Sequence, residues 1–127
     1  MHRKALLKGE DGFTLIEIIA VLIILEIMAA VAVPRYIDLT TNAELRAIEA
    51  GVAELNGREA LTWANQMISP AGYVDDATTF AAVSTDLGTD YSWSVGPAAT
   101  GGTLDFGSQT LALTRTASTA TSPGRWD

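Results

Sequence analysis

Gly12-Phe13-Thr14-Leu15-Ile16-Glu17 opens the stretch that decides the fold, an apolar run of 21 residues from Phe13 to Val33. An apolar helix of about 20 residues is long enough to cross a bilayer, and no other segment of the chain is apolar over that length. Two carboxylates, Glu17 and Glu26, interrupt the run. Because a carboxylate in apolar surroundings is costly unless a cation meets it, we predict that Glu17 has a positively charged partner.

The same six residues resemble the processing site of class III signal peptides, which belong to type IV pilins and their pseudopilin relatives. The resemblance implies that a prepilin peptidase cuts after Gly12 and methylates the new N-terminus at Phe13. It also implies that Glu17 neutralises the N-terminal amine of a neighbouring subunit, since a buried ammonium and a buried carboxylate each remove much of the other's cost. Pro34 matches a helix-perturbing proline of the family, and the stretch from Pro34 to Leu39 is similar to the mannose-sensitive haemagglutinin branch.

The chain departs from the family pattern in its acidic residues and in its cysteines. Glu10 and Asp11 precede the cleavage glycine, where basic residues or glycine are more usual. Glu26 stands where many pilins carry glycine, and the sequence leaves open whether it is a tolerated polar residue or part of a specific pair. If Glu26 matters for assembly, Glu26→Gly should change the filament yield. There is no cysteine, so the head must be held by packing or by a bound ion.

Charge is distributed unevenly along the chain. Both lysines precede Phe13, and from Phe13 onward there are five arginines and 13 acidic residues, a side-chain balance of −8. An acidic surface repels nucleic acid, so general nucleic-acid binding is not expected. The positive leader ahead of the apolar run predicts an N-terminus in the cytoplasm and export of the rest.

Hydrophobic periodicity changes along the chain from helical to alternating. Apolar residues at Leu45, Ile48, Val52 and Leu55 predict an amphipathic helix over residues 43–65. Thr41 and Glu44 have the spacing of a capping box, so a break after Pro34 with a restart near Thr41 and one continuous helix are both open. Residues 69–72, Ser-Pro-Ala-Gly, are predicted to end the helix.

Beyond Gly72 the alternation predicts three antiparallel strands. Tyr91, Trp93 and Val95 mark the first, and pairs of apolar residues on either side of Gly107-Ser108-Gln109 predict a hairpin with a three-residue connection. Residues 96–102 are predicted to be a loop and residues 116–124 a mobile or surface-laid tail, with Trp126 either docking that tail or exposed. Trp63, Trp93 and Tyr91 are predicted to be core residues rather than a ligand platform.

The predicted fold class is α+β and type IV pilin-like, with a small antiparallel sheet packed on the C-terminal half of a long N-terminal helix. It divides into residues 1–12 as leader peptide, 13–33 as transmembrane and filament-core helix, 34–69 as its amphipathic continuation, and 70–127 as a β-rich head with a mobile tail.

The exported part offers no convincing catalytic set, so an enzyme is not expected. His2 lies in the leader, and no nucleophile with a base or phosphate-cradling glycine loop is present. Asp75, Asp76, Asp86 and Asp90 are weak candidates for calcium, which prefers several oxygen ligands from flexible loops. A melting temperature unaffected by a chelator would end the calcium hypothesis, and no other cofactor is predicted.

The pilin resemblance implies a structural subunit of a type IV pilus or pilus-like filament. It would wait in the bacterial inner membrane as a precursor, meet the prepilin peptidase and the pilus assembly machinery, and polymerise with itself into an extracellular pilus. One alternative is a type II secretion pseudopilin in a short periplasmic filament. Another is a soluble periplasmic binding module behind an ordinary signal peptide, because Ala30-Val31-Ala32 has the form of a secretory cleavage site.

Overall fold

The computed structural model describes residues 12–127, so the predicted leader lies outside the described residues except for Gly12. The chain divides into two units, Met1–Leu39 and Thr40–Asp127. The elements in chain order are α1 Leu15–Met67, α2 Asp76–Ala82, β1 Tyr91–Ala98, β2 Gly101–Phe106, β3 Gln109–Thr116 and β4 Arg125–Trp126.

In the first unit, the described residues from Leu15 onward are helical. Helix α1 is uninterrupted across Pro34, which lies inside it. The continuous helix, one of the two alternatives left open by the sequence, is therefore confirmed, and no restart occurs at Thr41. The Glu44 carboxylate instead accepts hydrogen bonds from the backbone N–H of Ser108 at 3.1 Å and from its hydroxyl at 2.7 Å.

In the second unit, one face of α1 forms one side of the hydrophobic core. Ile48 and Leu55 are fully buried, as the predicted helical spacing requires, and Val52 packs beside them. Gly51 lies on the same face, where a Cβ would meet Tyr91 Cε1 at 2.8 Å and Leu104 Cδ2 at 3.3 Å. The absent side chain therefore lets the sheet approach the helix closely. Helix α1 ends at Met67 ahead of the predicted Ser-Pro-Ala-Gly turn.

A four-stranded antiparallel sheet of order β1-β2-β3-β4 covers this face. Leu104 and Leu113 point into the core and are buried, and they join Ile48, Leu55 and Trp126 in a single cluster. Around it lie partly buried apolar side chains from α1, α2 and the sheet: Val52, Phe80, Leu87, Tyr91, Trp93 and Phe106. The prediction that Tyr91 and Trp93 belong to the core is confirmed.

Two predicted loops are shorter than expected. The hairpin between β2 and β3 has two connecting residues, Gly107 and Ser108, because Gln109 already pairs with Phe106. Gly107 has φ +62°, a value suited to a tight hairpin turn. The predicted loop over residues 96–102 is wrong: β1 continues to Ala98 with bulges, and β2 begins at Gly101. Only two residues connect these strands. Strand pairing uses backbone N–H and C=O groups, so a segment with small side chains can still form strands.

The end of the chain packs on the sheet, and of the two alternatives predicted for residues 116–124, a mobile or a surface-laid tail, the structure has the surface-laid one. Strand β4 pairs with β3 through Trp126 opposite Arg115, and the Trp126 side chain is buried. Asn56 of α1 binds both backbone groups of Trp126: its amide donates to the carbonyl at 3.0 Å and accepts from the N–H at 2.7 Å. Of the two alternatives for Trp126, docking of the tail is confirmed.

Candidate assembly site

The candidate site begins at the start of α1, where Thr14 and Glu17 form a capping box. The Thr14 backbone N–H donates to Glu17 Oε2 at 3.0 Å, and the Glu17 N–H donates to Thr14 Oγ1 at 3.2 Å. This reciprocal arrangement satisfies two backbone donors that a helix start otherwise leaves free. The Thr-x-x-Glu signature occurs here in the sequence and again at Thr41 and Glu44, but the capping box predicted at Thr41 does not form because α1 is continuous there.

Phe13 lies just before α1 and Glu17 lies in its first turn, and both are exposed. The Glu17 side chain accepts its hydrogen bond from the neutral backbone N–H of Thr14, so within the described residues no cation neutralises its charge. The geometry leaves the Glu17 carboxylate accessible to a positive group from another molecule. The predicted pairing with a neighbour's N-terminal amine requires this accessibility.

The helix surface from residue 15 to residue 39 is apolar all round and uncovered. The large apolar side chains over residues 13–39 are 42–82% exposed. Among the described residues, α1 is the one helix that has the length and composition to cross a membrane, and none of its most apolar window is buried. A helix that is hydrophobic on every side is normally covered by lipid or by other protein. Charge interrupts this surface at four residues, namely Glu17, Glu26, Arg35 and Asp38.

Three of the four candidate calcium ligands have separate hydrogen-bonding roles in the structure, and the fourth, Asp90, is exposed. Asp75 caps α2 by accepting from Thr78 N–H at 2.7 Å, and Asp86 accepts from Gly88 N–H at 2.9 Å. Asp76 binds Arg115 and Ser118. Within residues 12–127, no three His, Cys, Asp or Glu side chains are grouped so that they could hold a metal ion. Calcium binding stays a prediction from sequence.

The second unit contains a buried ionic cluster. Arg115 is fully buried at its side chain and lies between the buried carboxylate of Glu59 and the mostly buried one of Asp76. All five guanidinium donors are used: Nε and Nη2 bind Glu59 at 2.5 and 3.0 Å, both Nη atoms bind Asp76 at 2.9 Å, and Nη1 also binds the carbonyl of Ala99 at 3.1 Å.

The cluster also holds the end of the chain and α2. The indole N–H of Trp126 donates to Glu59 Oε1 at 3.0 Å, and the Asp76 carboxylate accepts from the N–H and hydroxyl of Ser118 at 2.7 and 2.8 Å. The Arg115 guanidinium stacks 4.7 Å from the ring centroid of Phe80. Every buried side-chain polar atom in the described part of the chain has a partner. The cluster therefore connects α1, α2, β3 and β4 with directional bonds.

The electrostatics of the cluster favour its charged form. Hydrogen bonding from Arg115, helped by Ser118, lowers the pKa of Asp76 from 3.8 to about 2. Burial opposes the charge on Arg115, but its hydrogen bonds to Glu59 and Asp76 outweigh that effect and raise the pKa of Arg115.

Acid should weaken the head through Asp76. Because the folded state holds the pKa of Asp76 near 2, its contribution is present above the unfolded value near 4 and is lost as pH falls from 4 to 2. The loss is on the order of 2 kcal/mol. The measurement is the unfolding free energy of the full chain in detergent at pH 5 and pH 2, compared with Asp76→Asn. The variant should lose less stability over this interval, and equal losses in both proteins would contradict the prediction.

A comparison with known proteins gives a partial sequence match. No family model matches the chain, and no solved structure matches it. A long N-terminal helix with a small antiparallel sheet is a type IV pilin-like arrangement. Over 50 residues the chain is 42% identical to the type IV narrow pilus major component PilA5 of Thermus thermophilus, a stretch that is 39% of this chain and 43% of that protein. The relative is a structural pilus component, which fits the prediction that this chain is not an enzyme.

Proposed function

We propose that the chain is a structural subunit of a type IV pilus or pilus-like filament. The observation that carries the proposal is the uncovered apolar surface of α1, which lies on residues 15–39 with an accessible carboxylate at its start. The partial similarity to a major pilus component supports the same conclusion. An exposed surface of this kind suits a molecule that spends one stage in lipid and another in a bundle of copies.

The proposed maturation begins with cleavage after Gly12 by a prepilin peptidase in the inner membrane, followed by methylation of Phe13. The assembly machinery then moves the subunit from the bilayer into the filament, where apolar helices pack on one another. In that bundle Glu17 meets the N-terminal ammonium of a neighbouring copy, and each charge offsets the cost of burying the other. The pilus is extracellular. A periplasmic pseudopilus would use the same pairing of Glu17 with a neighbour's N-terminal ammonium.

The test is the intact mass and N-terminal sequence of the mature protein from its native host, combined with electron microscopy of the cell surface. We expect a chain that starts at methylated Phe13 and surface fibres that contain it. A mature start near Val33 would replace the proposal with a soluble exported module. Correct processing without surface fibres would favour the secretion pseudopilin.

A further inference from the structure

Glu26 is a charge that the proposed assembly mechanism does not use. It lies in the middle of the apolar surface, between the exposed side chains of Leu25 and Ile27. Within the part of the chain that the structure describes, its carboxylate has no hydrogen bond or ion pair. A carboxylate in the middle of an apolar surface is costly to bury in lipid and also in a helix bundle, unless a cation lies next to it.

Arg35 is the complementary charge. It is the only lysine or arginine among residues 13–39, and it is exposed. The described residues give it neither a hydrogen bond nor an ion pair, even though Asp38 follows it by three positions. In the described part of the first unit, Glu26 therefore lies in the middle of the apolar surface without a cation, and Arg35 lies at the C-terminal border of that surface without an anion.

These two residues cannot pair within one chain. Nine residues separate them, which is about two and a half helical turns and roughly 13.5 Å along the axis, so they lie on opposite faces. Glu17 and Arg35 are 18 residues apart, about five whole turns, and share a face. One side of the helix thus carries Glu17 and Arg35, and the opposite side carries Glu26.

We propose that Glu26 of one copy pairs with Arg35 of a second copy in the filament, with the two parallel helices staggered by about nine residues. Because the two charges lie on opposite faces, each copy offers its carboxylate to one neighbour and its guanidinium to another. An interface with different faces on its two sides is heterologous, and it extends into an open polymer when the rotation does not close. Assembly also supplies Glu26 with the cation that it lacks in lipid. The inference rests on the proposed function.

The proposed pair is tested by exchanging the charges of Glu26 and Arg35 in the native host. Each single exchange, Glu26→Arg or Arg35→Glu, should lower the ratio of sheared filament to membrane precursor by about tenfold or more, because it brings like charges together. The double exchange should restore filament to within about threefold of wild type, as expected for a direct pair. The matched control is the double variant Glu26→Arg, Arg46→Glu. It has the same net charge as the double exchange, but it alters an exposed pair with Glu49. This control should not restore assembly.

The outcomes separate this inference from the proposed function. Absence of wild-type filament would reject the proposed function itself. Wild-type filament together with normal assembly of both single variants would reject the pair and leave the function standing. Failure of the double exchange, or equal rescue by the Arg46→Glu control, would also reject the pair.

A second experiment avoids placing new charges in the membrane. The chain has no cysteine, so a disulfide reports directly on the stagger. Leu22 and Val31 lie one turn before Glu26 and Arg35, and the nine-residue stagger brings them level in neighbouring copies. Oxidised filaments of a Leu22→Cys, Val31→Cys variant should give a ladder of cross-linked subunits, and each single variant should stay monomeric. Filaments of the double variant without cross-links would overturn the stagger.

Discussion

Replacing Glu17 with alanine is expected to leave the precursor inserted and processed but to lower filament assembly by about a hundredfold or more. Removing one partner of a buried ion pair leaves the other charge uncompensated, which costs about 3–5 kcal/mol. In the proposed filament, the group left behind is the N-terminal ammonium of a neighbour. The measurement is the ratio of sheared filament to cleaved membrane subunit, with cleavage checked by intact mass.

Two matched variants separate the charge of Glu17 from its part in the capping box. Glu17→Gln retains an oxygen that can accept from the Thr14 N–H, but it has no charge. Thr14→Ala removes the hydroxyl that accepts from the Glu17 N–H, at a cost of about 1 kcal/mol to the helix start. If charge pairing drives assembly, Glu17→Gln should fail like alanine and Thr14→Ala should assemble. The reverse pattern would show that capping is the important role.

The parts of the fold that sequence predicts well depend on residues close together in the chain. The length of the apolar run, the helical spacing of Ile48 and Leu55 and the alternation around Leu104 all follow from local periodicity. The continuous strand pairing at Gly101 and Gly102 does not. Glycine there indicated a loop, whereas in the structure a Cβ at either position would collide with backbone of the neighbouring strand. These glycines permit close strand approach, which only the folded sheet reveals.

The ionic cluster cannot be predicted from local sequence patterns because its partners are distant in sequence. Arg115 meets Glu59 across 56 positions and Asp76 across 39. A local signal did exist: Arg115 continues the alternation of Leu111 and Leu113, which places it on the same face of β3 as buried Leu113. Glu59 likewise follows Leu55 by one helical turn on the buried face of α1. A charge at an inward position predicts a buried partner, but periodicity does not identify that partner.

The sequence predicts part of the candidate assembly site, and the structure adds the rest. Glu17 and the apolar run can be read locally, and the structure adds that both are uncovered and that Thr14 caps the helix with Glu17. The four aspartates predicted to bind calcium are close to one another in the sequence. In the structure Asp75 caps a helix and Asp76 belongs to the ionic cluster, because their hydrogen-bond partners lie on different elements. Calcium binding by these residues stays a prediction.

Glu59→Gln is expected to destabilise the second unit by about 3–5 kcal/mol, since the buried Arg115 would keep its charge and lose half of its compensation. The neutral amide would also present a donor where the present carboxylate accepts three hydrogen bonds, from Arg115 Nε and Nη2 and from Trp126 Nε1. Because the same carboxylate holds the Trp126 indole, the docking of β4 should weaken together with the cluster.

Glu54→Gln is the matched control on the same helix. Glu54 pairs with Arg58 at 2.9 Å, but its side chain is 58% exposed, so its loss should cost less than about 1 kcal/mol. Urea unfolding of the full chain in detergent, followed by tryptophan fluorescence, measures both variants, because Trp93 and Trp126 lie 5.5 Å apart in the core. Equal midpoints for the two variants would show that burial adds nothing to this ion pair. A much lower midpoint for Glu59→Gln would establish that the cluster stabilises a head that has no disulfide.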